Sequence, residues 1–275
     1  MVINMKLVKY IGILCLICMT FFYTEKVIEI SINQDDIMIK IKDEEKYNNI
    51  NPSNAIIKDD TIIPGSTGKS IDTNKSYKAM KKIGYYEPSL LVYNKVYPEI
   101  SIYNNYNKYI ISGNTNKKNI SLIYIINNNN TIDNILSTIA VHNVKLNFFI
   151  DSSYLNNNIN IINKLKDNEI YNYGKMGIYT KDNLIITNNI INNKSNNKSI
   201  YCLFLNRDET SLNNCANNKM LSLIPATNIN YLNIKNNLEN GKIILIDNTK
   251  ELNGIIEYIK NKGYSIVPLS ELIIE

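Results

Sequence analysis

Hydrophobic and polar positions change rhythm twice along this chain of 275 residues. Tyr10 to Tyr23 is an almost unbroken apolar run behind Lys6 and Lys9. Between about 25 and 60 the pattern alternates, as in VIEISI (27–32) and IMIKIK (37–42), which predicts two short strands. From about Asn119 onward, short apolar runs alternate with stretches of helical period, the signature of a mostly parallel sheet or barrel. ISLIYII (120–126) reads as a buried strand that ends abruptly in asparagines. Behind it Ile132, Ile135, Leu136 and Ile139 share one helix face, with Thr131 as the cap. A strand at 144–150, a helix near 154–167 and less regular elements over 169–240 follow. The close is a strand at 242–247, a helix at 251–263 ending on Gly263, a strand YSIVPL and a last helix.

Composition keeps this a globular chain, with 44% of residues hydrophobic and 20% charged. The net charge of +5 is scattered, and its densest cluster, KSYKAMKK (75–82), reads as the solvated face of a short helix. No basic stripe interleaves with aromatics, so nucleic acid is not expected as a partner. Asparagine, isoleucine, lysine and tyrosine are in excess while Arg207 is the only arginine, a bias that AT-rich codons produce. The asparagine runs at 127–130, 156–160 and 188–197 are therefore read as loops. GSTGKS (65–70) has two residues where a phosphate loop needs four between its first glycine and the Gly-Lys pair, and it reads as a surface turn.

The first apolar run suits an uncleaved signal-anchor with its lysines on the cytoplasmic side; a cleaved signal is the second reading and a buried core helix the third. No small-x-small cleavage site follows the run, and Cys15 and Cys18 lack the small preceding residue of a lipoprotein signal. The protein is thus expected at the cell membrane, single-pass, with its bulk extracytoplasmic, or secreted if the signal is cleaved. The pattern divides the chain into a membrane segment over 1–24, a leader with short strands over 25–112 and a folded domain over 113–275. In an oxidising location Cys202 and Cys215 could pair; two free thiols are the equal alternative.

HNVKLNFFID (142–151) resembles the helix end and second strand of the polysaccharide deacetylase (NodB-homology) family, carbohydrate esterases that remove N-acetyl groups from cell-wall glycans. LENGKIILIDNTKELNGIIEYIKNKGYSIVPLSELI (238–273) is similar to that family's closing strand, helix and KGY-containing stretch. The likeness runs from 119 to 275 and is weakest in the middle, while 60–112 looks like the leader of some membrane-anchored members. It implies an α/β fold: an irregular (β/α) barrel with fewer than eight strands, preceded by the membrane anchor and a small β-containing segment.

The resemblance also implies where chemistry should reside. The family's first motif, Thr-Phe-Asp-Asp-Gly, gives a general base and a metal ligand; IYIIN (123–127) sets Ile125 and Ile126 at the two aspartates. The second motif holds two metal-binding histidines four positions apart, and EIYNYGKMGIYTKDN (169–183) sets Tyr173 and Gly177 there. The third, Arg-x-Pro-x-Gly, belongs near 201–211, but Arg207 is several residues late and lacks those neighbours, so the role is not carried over. The fourth ends a strand in Leu-His, the general acid, and here Asp247 stands in that place. Isoleucine and glycine offer no donor, and a neutral phenol is a poor one. The family mechanism uses three histidines, whereas the chain has one, His142, near a helix C-terminus at the opposite end from the expected site. A degenerate site without metal or cofactor is expected, with Ile125, Tyr173 and Asp247 at family-equivalent positions and no catalytic role.

Asn127, Asp151, Tyr173 and Asp247 nonetheless follow strand ends and could hold a glycan; capping strands in water is the plain alternative. Three readings stay open. One is a membrane-anchored deacetylase-like protein without catalysis that binds cell-wall glycan or acts as a scaffold. Another is an active carbohydrate N-deacetylase with a site rebuilt around Asp151 and Asp247. The third is a purely structural membrane-associated partner protein.

Overall fold

A computed structural model describes residues 5–127, 132–227 and 231–275. The chain forms two compact units: Met1–Asn51 with Gly68–Val96, and Pro52–Thr67 with Tyr97–Glu275.

In the smaller unit the helix Met5–Asn33 carries an apolar stretch, Tyr10–Asn33, of mean hydropathy 1.8, none of it buried. By length and composition it could cross a membrane. A second helix, Asp36–Asn48, starts at Asp35, whose carboxylate accepts from the Ile37 N–H. VIEISI and IMIKIK therefore lie in helices, not in the two strands their alternation predicts. Asp35 supplies the start signal, and Ile37 and Ile41, one turn apart, are buried against Ile71 and Met80. Ile39, which completes the apparent alternation, is exposed. Gly68–Ile71 pairs antiparallel with Tyr93–Val96, so the second half of GSTGKS is strand where a surface turn was expected. Its register with Tyr93–Val96 supplies the ladder that a local reading cannot see.

The larger unit has ten strands among the described residues: β1 (Ile56–Lys58), β2 (Thr61–Ile63), β3 (Tyr109–Ile110), β4 (Asn119–Ile126), β5 (Asn147–Ile150), β6 (Glu169–Asn172), β7 (Tyr201–Leu203), β8 (Leu221–Leu223), β9 (Ile243–Leu245) and β10 (Ser265–Ile266). They form two sheets, ordered β1-β2-β3-β8-β7 and β9-β4-β5-β6, with β10 also paired to β4. Apart from the β1–β2 hairpin every pair is parallel. Parallel strands are covered on both faces, which is why they read as continuous apolar runs. Along β4, Ile120, Leu122, Tyr124 and Ile126 join a core with the helical Ile135, Ile139, Ile255 and Ile259. Ile123 points the other way, into a core with Phe149, Tyr171, Tyr201, Leu203 and Leu245. Within it the Phe149, Tyr171 and Tyr201 rings follow one another at centroid distances of 5.1 and 5.0 Å.

Among the described residues the two sheets meet at two places. Past β8, Ala226 pairs in parallel with Ile244 of β9. Between β6 and β7, side chains bridge what backbone ladders join elsewhere. The Asn197 amide accepts from the Ile170 N–H and donates to the Ile170 carbonyl, both at 2.9 Å. Ser199 Oγ accepts from the Asn172 N–H, and the buried Tyr179 hydroxyl accepts from the Leu203 N–H at 2.7 Å.

Asparagine-rich stretches thus build structure where loops were predicted. Residues 188–194 lie in the helix Lys181–Lys194, which starts with a reciprocal Thr180–Asn183 capping box and buries Leu184, Thr187 and Ile191. In place of one helix near 154–167 there are two, Ser152–Asn157 and Ile161–Leu165. The break falls where the Asn157 and Asn158 amides donate back to Ser153 and Tyr154 carbonyls, offering the chain an alternative to helix. Cys202 and Cys215 form a disulfide between β7 and the helix Glu209–Asn217. Thr131 and residues 128–130 lie outside the described residues.

Candidate functional site

The C-terminal ends of β4, β5 and β6 open on a cleft of about 540 Å³. Asn127, Asp151 and Tyr173, the residues after or at those ends, line it together with Ser153, Tyr154 and Lys175. Three of the four residues proposed from sequence as glycan contacts are therefore brought together. The fourth, Asp247, follows β9, is exposed and does not line this cleft.

Asp151 is only 4% exposed, and its two oxygens are committed to backbone. Oδ1 accepts from the Ser153 and Tyr154 N–H groups at 2.8 and 3.1 Å, capping the helix Ser152–Asn157. Oδ2 accepts from the Met176 N–H at 2.6 Å. That last bond fixes a two-residue hairpin. Lys175 and Ile178 exchange backbone hydrogen bonds of 3.0 Å, with Met176 at φ 53° and Gly177 at φ 83° between them. Both central residues are left-handed, the geometry that asparagine and glycine favour.

Tyr173 is buried with its ring in the inner core, and its hydroxyl lies over Gly177. A Cβ added to Gly177 would sit 3.1 Å from that hydroxyl. Tyr173 and Gly177, which the resemblance sets at two imidazoles, are thus neighbours in space, but one is an aromatic plug and the other empty. Burial first, and the adjacent Asp151 carboxylate second, push the Tyr173 phenol up from its ordinary value. It stays protonated at neutral pH and is a poor ligand for a divalent cation. Ile125 is half-buried against the inner core, and Ile126 is fully buried in the helix-facing core. Neither presents a lone pair. The donor set needed for the metal of the deacetylase mechanism does not fit these residues. Among the described residues no group of three His, Cys, Asp or Glu is placed to hold a metal ion.

His142 follows the helix Ile132–Val141 and precedes β5, so it is separated from the cleft by the length of that strand. Its Nε2 is hydrogen-bonded to Asn253 Oδ1 at 2.7 Å. Arg207 lies outside the cleft and pairs through Nε with Asp60 at 2.8 Å. Sequence reasoning missed Ser153, Tyr154, Lys175 and Met176 as lining residues. The Lys-Met-Gly-Ile stretch was the available signal, a glycine placed for a tight turn just past a strand end.

Gly177→Ala is expected to lose roughly 1–2 kcal/mol, the cost of a left-handed L-residue, because it must also displace the Tyr173 hydroxyl. Gly177→Asn should lose less. Urea unfolding midpoints of the two variants check this, and equal midpoints for alanine and wild type would contradict it.

No family model matches the sequence. The uncharacterized protein YlxY of Bacillus subtilis is 26% identical over 256 residues, which cover 82% of this chain and 80% of that one. A CE4 family pseudoenzyme from Bacillus anthracis is similar in structure, with a TM-score of 0.60 and 24% identity over 87% of this chain and 95% of that one. A mutant of it with restored enzymatic activity has a TM-score of 0.61 and 22% identity, over 86% of this chain and 98% of that one. The Bc1960 peptidoglycan N-acetylglucosamine deacetylase has a TM-score of 0.53 and 19% identity, over 60% of this chain and 92% of that one. The chain has a mixed α/β fold like that of the CE4 polysaccharide deacetylases.

Proposed function

We propose that this chain, built on a carbohydrate esterase family 4 fold, is a membrane-anchored extracytoplasmic protein without deacetylase chemistry that holds cell-wall glycan in the cleft of Asn127, Asp151 and Tyr173. The reading is carried by the residues that the resemblance sets at four motif positions: Ile125 and Ile126 in place of carboxylates, Tyr173 and Gly177 in place of imidazoles. The closures at Ala226–Ile244 and between β6 and β7 support an irregular (β/α) barrel with the cleft at its mouth. The apolar helix Met5–Asn33 supports the anchor, and the Cys202–Cys215 disulfide supports an oxidising side of the membrane. Amides and tyrosine rings around one concavity suit sugar hydroxyls and sugar faces.

Calorimetry with tetra-N-acetylchitotetraose tests the glycan reading on the purified chain. Saturable binding is expected, weakened about tenfold by Asn127→Ala, the loss of one well-placed hydrogen-bonding group. No heat from the folded chain overturns it and leaves the structural-partner reading.

A further inference from the structure

The cleft does not stop at the hairpin. Beyond Lys175 and Met176 a second cleft of about 590 Å³ opens, and the two share Ser153, Lys175 and Met176 as a common wall. Their chemistry differs. The first presents the amides of Asn127, Asn157 and Asn158. The second is lined by Met176, Ile178 and Ile186, which are 80%, 58% and 54% exposed. Large apolar side chains held together in a concavity and left in water are a recurring mark of a binding surface.

Local structure holds them there. The Lys175–Ile178 hairpin is rigidified by its reciprocal backbone bonds and by the Asp151 carboxylate on the Met176 N–H. Ile186 projects from the helix Lys181–Lys194, which buries Leu184 and Ile191 in the core and sets the buried Thr187 beside Ile186 on the cleft wall. The core does not need Ile186, and a polar residue there would cost the fold little.

We propose that the glycan held in the first cleft carries an apolar substituent, an acyl or alkyl chain, which crosses the Met176 ridge and lies in the second cleft. The inference rests on the glycan reading above. Because the clefts share a wall, one ligand can occupy both without a change in the backbone, its sugar facing amides and its chain facing Met176, Ile178 and Ile186. Each methylene moved from water onto that lining adds to affinity, so discrimination should grow with chain length.

The test is calorimetry on the full chain in lipid nanodiscs with two probes, tetra-N-acetylchitotetraose and its N-hexanoyl counterpart. The N-hexanoyl probe is expected to bind about tenfold more tightly, from four partly buried methylenes. Ile186→Asp and Ile178→Asp should each remove that gain and leave the affinity for the N-acetyl probe unchanged. Equal affinities for the two probes in wild type, or a gain that survives both variants, overturns the inference and leaves glycan binding intact. Binding of neither probe overturns glycan binding, and the inference falls with it.

Discussion

An Asp151→Ala variant is expected to lose about 3 kcal/mol of stability, three backbone hydrogen bonds at roughly 1 kcal/mol each. The carboxylate serves the Ser153, Tyr154 and Met176 N–H groups and is only 4% exposed. Its charge also faces the start of the helix Ser152–Asn157, where a negative group is favoured. Asp151→Asn separates the contributions. The amide oxygen can keep the helix cap, while the amide nitrogen cannot accept from Met176, so a loss about half as large is expected. Urea unfolding of both variants measures the difference; an alanine variant as stable as wild type would show that the side chain holds nothing. The result bears on function, because a carboxylate spent on three backbone donors is a fixture of the cleft rather than a base waiting for substrate.

The second large effect is at the disulfide. Cys202 and Cys215 are separated by 13 positions, and closing a loop of that size restricts the unfolded chain by about 3 kcal/mol. Both side chains are fully buried, so the bond joins β7 to the helix Glu209–Asn217 from inside the core. Chain unfolded and refolded under reductant should therefore show a clearly lower unfolding midpoint than oxidised chain. Coincident unfolding curves would mean that the pairing adds nothing to folding. Free thiols in chain isolated without reductant would contradict the pairing itself.

How much of this was legible beforehand depended on whether the signal was local. The ISLIYII run, the Ile132–Ile139 helix face and the Gly263 stop are local, and β4, the helix Ile132–Val141 and the end of Leu252–Asn261 stand where those patterns put them. IMIKIK misled because period two over six residues also fits a helix with one exposed isoleucine, and Asp35 as a cap outweighs it; VIEISI instead continues the long apolar helix Met5–Asn33. Asparagine was discounted as codon bias. Yet Asn197 stands in for a strand partner at Ile170, and Asn147 spans the buried Leu122 carbonyl and Leu269 N–H, both at 2.8 Å. Such roles depend on neighbours more than 20 positions away and leave no local trace. In the cleft, the strand-end rule found Asn127, Asp151 and Tyr173. It could not show that Asp151 would turn inward to backbone, or that Asp247 would fall outside.

The central claim concerns the strand ends beside the cleft, where the resemblance sets Ile125, Ile126, Tyr173 and Gly177 at positions of acids and imidazoles. Metal analysis of the purified full chain, incubated with excess zinc and then desalted, addresses it most directly. No retained zinc is expected, in wild type and in Tyr173→Phe alike. One tightly held zinc per chain, released when Tyr173 is changed, would contradict the account.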